Sequence, residues 1–201
     1  MNVAYQLLSY VFPLVTVSYV SQCLGVTNIG TYSYTYSTVY LFMLLGMLGI
    51  NNYGNREIAR VRDDKQACSC IFFSIYKLQL LTVGLASIGY VIYIQCIVSE
   101  YEKLFWLQAI YLFSACLDVN WFYFGLEKFK LTITRNCIIK VASLILILFF
   151  VRTEADLAQY TVIMAGSTFL SQLYLILILH RYIVNVHTTL HDSLHHLRGC
   201  C

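Results

Sequence analysis

Asn51-Asn52-Tyr53-Gly54-Asn55-Arg56-Glu57-Ile58-Ala59-Arg60-Val61-Arg62-Asp63-Asp64-Lys65 is the densest run of charge in the chain. Tyr32 to Ile50 before it carries no charged residue, and Ala67 to Val98 after it carries only Lys77. A charged island between two long apolar runs is the pattern of a loop between membrane spans. Working outward from it, the whole chain reads the same way. Of 201 residues, 59% are hydrophobic and 11% are charged, against about 25% charged in a soluble domain. The expected fold class is therefore an all-α membrane protein with six transmembrane helices. The net charge of +3 sits in the loops, so it reports topology and not nucleic-acid binding.

The apolar runs place the spans at about 3–24, 32–50, 78–98, 104–117, 137–151 and 157–179, a lobe over 1–180 followed by a polar tail, 181–201. Pro13 predicts a kink in the first span, and Gly25 to Thr31 an uncharged turn after it. Gly46 and Gly49 predict a close helix approach. Asn120 to Phe124 continues the fourth span into the interface. Arg56, Arg60, Arg62, Lys65, Lys128, Lys130, Arg135, Arg181 and Arg198 fall on one side, and only Lys103 and Arg152 on the other. The positive-inside rule then puts both termini in the cytoplasm. Cys23, Cys96, Cys116 and Cys137 lie in or beside apolar runs and Cys68-Ser69-Cys70 has no zinc spacing, so the cysteines read as buried small hydrophobes.

Tyr53 to Lys65 resembles the first cytoplasmic loop of bacterial polysaccharide flippases. These are the O-antigen and capsule repeat-unit translocases of the multidrug/oligosaccharidyl-lipid/polysaccharide exporter superfamily. Ser18-Tyr19-Val20-Ser21-Gln22-Cys23-Leu24-Gly25 is similar to the end of that family's first span, although Ser18 and Gln22 stand where Pro and Arg are common. Asp118-Val119-Asn120-Trp121-Phe122-Tyr123-Phe124-Gly125-Leu126-Glu127-Lys128-Phe129 is similar to its second cytoplasmic loop, and Arg135 and Lys140 continue the pattern. The resemblance implies one lobe, the N-terminal half, of a two-lobe transporter in the bacterial inner membrane. Its implied cargo is an undecaprenyl-diphosphate-linked oligosaccharide. Its implied partners are the bilayer, a C-terminal lobe and a polysaccharide polymerase.

That cargo needs cations for the diphosphate and a polar, aromatic-lined cavity for the sugar. Arg56, Arg60 and Lys140 are the candidate cations, since a guanidinium holds a phosphate by two parallel hydrogen bonds. The alternative is that they only obey the positive-inside rule and meet anionic headgroups. Tyr32, Tyr36 and Tyr40 share one helix face. Tyr36 and Tyr40 are candidates to stack on sugar rings, the alternative being an aromatic belt. Asp118, Trp121, Glu127 and Lys128 are candidates for gating or coupling, or for anchoring the loop. His187, His191 and His195 could bind a metal, but Leu190, Leu194 and Leu197 read more simply as a stripe lying on the membrane.

No Walker loop, Gly-x-Ser-x-Gly or His-Glu-x-x-His motif occurs, so no enzyme, no metal and no cofactor are expected. A cation-coupled small-molecule antiporter would need a carboxylate deep in a span. A membrane glycosyltransferase would need paired acids or a large outer loop. An assembly-only fragment remains a third alternative.

Overall fold

The computed structural model describes the backbone over residues 3–184 and side chains from Thr16 onward. Among the described residues there are seven α-helices, one 3-10 turn and no strand: α1 (Val3–Met47), α2 (Ile50–Val61), α3 (Lys65–Ile97), α4 (Glu102–Cys116), α5 (Asn120–Gly125), α6 (Phe129–Phe150), the 3-10 turn Glu154–Asp156, and α7 (Leu157–Leu179). Four helical stretches are long and apolar enough to cross a membrane. Leu41, Leu85, Ile92, Phe149 and Leu177 stay exposed on them, as a bilayer allows and water does not. This is an all-α membrane protein.

A straight helix of α1's length would span roughly 68 Å, twice the hydrocarbon core of about 30 Å. It is broken at Gly25, whose φ of 76° and ψ of 162° are not helical. That conformation is nearly confined to glycine. The break leaves two arms, 3–24 and 26–47. The expected turn over 25–31 is thus the single residue Gly25, and the backbone is helical at Pro13. Both arms are fastened to the α6–α7 turn: the Tyr19 hydroxyl donates to the Val151 carbonyl at 3.0 Å, and Asn28 Nδ2 to the Glu154 carbonyl at 3.0 Å.

The charged stretch is not a loop. It forms the amphipathic helix α2, which buries Ile50, Gly54 and Ile58 at i, i+4, i+8. That face rests on α5. A Cβ on Gly54 would stand 2.5 Å from Trp121 Cε3, so only glycine lets the two helices touch there. Gly46 does approach Val83 closely, whereas Gly49 adopts φ 75° and caps α2. Ile50, Ile58, Phe72, Ile75, Trp121, Phe122, Tyr123 and Leu175 form one buried cluster at this basic end of the bundle.

Three helix starts differ from the apolar runs. Asp64 accepts from the backbone N–H groups of Gln66 (2.8 Å) and Ala67 (3.1 Å), so α3 begins at Lys65 and not near 78. The 120–124 segment does not extend α4; it is the separate helix α5, set off by Leu117 to Val119. Finally, α6 starts at Phe129, eight residues before the apolar run at 137, and so carries Arg135 inside a helix. Cys68 is buried, but Cys96 is exposed, against the expectation for the cysteines as a group. His187, His191, His195, His196, Cys200 and Cys201 lie outside the described residues.

Candidate functional site

The site grows from the way α4 ends. Its last carbonyls have no helical partner. Gln79, fully buried on α3, donates through Nε2 to the carbonyls of Ala115 and Asp118, both at 2.9 Å. Its Oε1 accepts from Trp121 Nε1 at 3.0 Å. One amide therefore bonds two carbonyls at the end of α4 and locks the indole of α5. The Asp118 carboxylate accepts from the backbone N–H of Asn120 (3.0 Å) and from Asn120 Nδ2 (2.7 Å), which starts α5.

Asn120 then reaches across to α6 and α7. Its Oδ1 accepts from Arg135 Nη2 at 3.0 Å, and its Nδ2 donates to Gln172 Oε1 at 3.2 Å. The remaining Arg135 bonds go to Asn136 Oδ1 (2.8 Å), the Ser171 carbonyl (2.9 Å) and Gln172 Oε1 (3.3 Å). Arg135 is buried, and its Nε has no hydrogen-bond partner. Among the described residues it forms no ion pair; its partners are amides and a carbonyl. Burying an ion costs several kcal/mol, and neutral dipoles stabilise the charge without cancelling it. Asp118 is linked to Arg135 only through Asn120.

These residues line a cavity of about 660 Å³ between α2, α5, α6 and α7. Asn51, Asn52 and Asn55 face it from α2, Lys140 and Ser143 from α6, and Ser167 and Thr168 from α7. Its charged lining is Arg135 and Lys140 against Asp118. Positive charge among many amides and hydroxyls suits an anion attached to a polyhydroxylated group.

Of the residues singled out from sequence, Lys140, Asp118 and Trp121 line this cavity. Arg56 and Arg60 do not. Their side chains are 61% and 63% exposed and turn to Glu57, with Arg60 Nη1 at 2.7 Å and Arg56 Nε at 3.8 Å. Arg56 also lies over the Tyr53 ring. Tyr36 and Tyr40 are elsewhere, in a ladder with Tyr32 at ring spacings of 5.9 and 6.0 Å. There the Tyr32 and Tyr111 hydroxyls meet at 3.1 Å. Glu127 pairs with Arg62 and takes φ 57°, and Lys128 is the N-cap residue of α6. Gln79, Gln172 and Arg135 are not among the sequence candidates for the site, and Asn120 enters there only as part of the second loop motif. The available signal was polarity inside or beside apolar helices: Gln79 in the third run, Gln172 in the last, Arg135 just ahead of the fifth.

The chain is 24% identical over 153 residues to a protein of Escherichia coli (strain K12) named "Putative O-antigen transporter", a match covering 75% of this chain and 37% of that one. The chain thus spans well under half the length of that relative. No solved structure matches it significantly. The family model described as "Polysaccharide biosynthesis protein" matches residues 1–198, and the chain belongs to that family.

Proposed function

We propose that this chain forms one lobe of a flippase that carries lipid-linked oligosaccharide repeat units across the bacterial inner membrane by alternating access. The observation that carries the reading is the polar cavity, where two cations face one carboxylate among amides and hydroxyls, inside a membrane bundle. In this reading Arg135 and Lys140 attract the diphosphate. The asparagines of α2 and the hydroxyls of α6 and α7 hydrogen-bond the first sugar. Asp118 and Trp121 hold the α4–α5 hinge that shapes the mouth. The basic end faces the cytoplasm, with Arg56 and Arg60 at the entrance, where they attract anionic headgroups. The arms of α1, then α3, α4–α5, α6 and α7 make six spans. The second wall of the pathway comes from a further lobe, and the chain transports rather than catalyses.

The test is genetic and chemical. Deleting the gene in its host should lower surface polysaccharide and accumulate the lipid-linked repeat unit. Wild-type protein should restore the surface polymer. Lys140→Ala, an exposed position that should fold normally, should restore less than roughly a tenth of it at equal membrane abundance, the loss of one charge-assisted phosphate contact. Unchanged surface polysaccharide on deletion would sink the reading. Full rescue by Lys140→Ala would remove that residue from it.

A further inference from the structure

A second concavity, of about 1320 Å³, lies between the first half of α6 and the second half of α7 at the basic end. Phe129, Ile133, Ile138, Leu170 and Tyr174 make its apolar wall. The α6 side runs from Phe129 to Ile139, about 15 Å at 1.5 Å per residue. Three charged residues stand at the mouth: Glu127, Lys128 and Lys130. Glu127 is already neutralised by Arg62, so the free charge there is positive.

The placement of those lysines is electrostatically unfavourable. Lys128 is the N-cap residue of α6 and Lys130 lies in its first turn, with no acidic residue there and no side-chain cap. The N-terminus of a 22-residue helix is already its positive end, which favours anions. A phosphate at the mouth would relieve the conflict and accept the uncapped N–H groups. Arg135 lines the inner end of the groove. It is only 6% exposed, and its Nε is unpartnered.

We propose that this groove is a site for a resident anionic phospholipid of the cytoplasmic leaflet, with an acyl chain along α6 and α7 and its phosphate on Lys128 and Lys130. The groove and the polar cavity adjoin, with Arg135 and Ile139 lining both. The Arg135 side chain stands between them, and its terminal nitrogens are committed to Asn120, Asn136, Ser171 and Gln172, all cavity residues. A lipid headgroup at the groove mouth is therefore outside the transport pathway.

Native mass spectrometry of the full chain in neutral detergent tests this, with phosphatidylglycerol and phosphatidylcholine offered at equal concentration. Wild-type protein should retain phosphatidylglycerol about tenfold better than phosphatidylcholine. Lys128→Gln with Lys130→Gln should lower phosphatidylglycerol retention by roughly thirtyfold, the effect of two basic residues at a membrane surface. Ile138→Trp keeps both lysines but fills the groove, and should release both lipids. Equal retention of the two lipids by wild-type protein overturns the proposal without needing any variant to fold. Undiminished retention by the double lysine variant also overturns it. So does displacement of phosphatidylglycerol by equimolar polyprenyl diphosphate, which would give the groove to the transported lipid. No arm measures transport, so the lipid site and the flippase reading can fail separately.

Discussion

Arg60 and Arg135 carry the same guanidinium into opposite settings. Arg60 lies on the outer face of α2, largely exposed, and pairs with Glu57 at 2.7 Å. Arg135 is buried between α5, α6 and α7, and its partners are Asn120, Asn136, Gln172 and a carbonyl. The exposed cation has a carboxylate and little at stake, because water solvates it anyway. The buried one has lost its water and received only dipoles, so its field reaches into the neighbouring cavity. Charge density along the chain marks a surface helix; a single charge surrounded by amides marks the interior site.

The largest effect should come from removing the buried cation. Arg135→Ala leaves Asn120 Oδ1 and Asn136 Oδ1 without their donor and removes a bond from Gln172 and the Ser171 carbonyl, an expected loss of about 4 kcal/mol if both amide oxygens stay unsatisfied, read as a large fall in melting temperature in detergent. A melting temperature within a degree of wild type would show that the network does not hold α5 to α7.

Next comes Gln79→Leu. It strands the Asp118 carbonyl and the Trp121 N–H, while the Ala115 carbonyl keeps the Asp118 N–H, at roughly 3 kcal/mol if both stay unsatisfied. Chemical denaturation together with Trp fluorescence would report both the stability and the freed indole.

Gly54→Ala sharpens the comparison from the α2 side. The added methyl meets the Trp121 ring at 2.5 Å, an overpacking worth about 1–3 kcal/mol. Cysteine accessibility on α2 should rise as the helix lifts from α5; unaltered accessibility and stability would mean that the ring simply moves aside.

The smallest effect belongs to the surface cation. Arg60→Ala should change stability by less than about 0.5 kcal/mol. A shift as large as that of Arg135→Ala would break the contrast altogether.

Several features were legible in the residues alone. A charge content of 11% and long apolar runs required a membrane bundle, because hydropathy is a property of each segment by itself. The last helix begins and ends where its apolar run does, at Leu157 and Leu179. The motifs at Tyr53–Lys65 and Asp118–Phe129 pointed to the polysaccharide biosynthesis family. Lys140 and Asp118 could be picked out as ionisable groups near apolar spans, and both reach the cavity. The starts of α3 and α6 were hidden because polar residues can be helical, and hydropathy registers only the apolar part of a helix.

The sequence by itself thus determined the class, the family and the charge asymmetry between the two ends, since each follows from local composition or a contiguous motif. Tertiary structure alone decided which cation is buried. Arg135 meets Asn120 across 15 residues and Gln172 across 37, and only the packing of α5, α6 and α7 brings them together. It also made a helix of residues 51–61, most of the charged stretch, and left only 62–64 as the turn before α3. Ile50, Gly54 and Ile58 form one face only when the backbone winds at 3.6 residues per turn, and that face is buried because α5 lies against it.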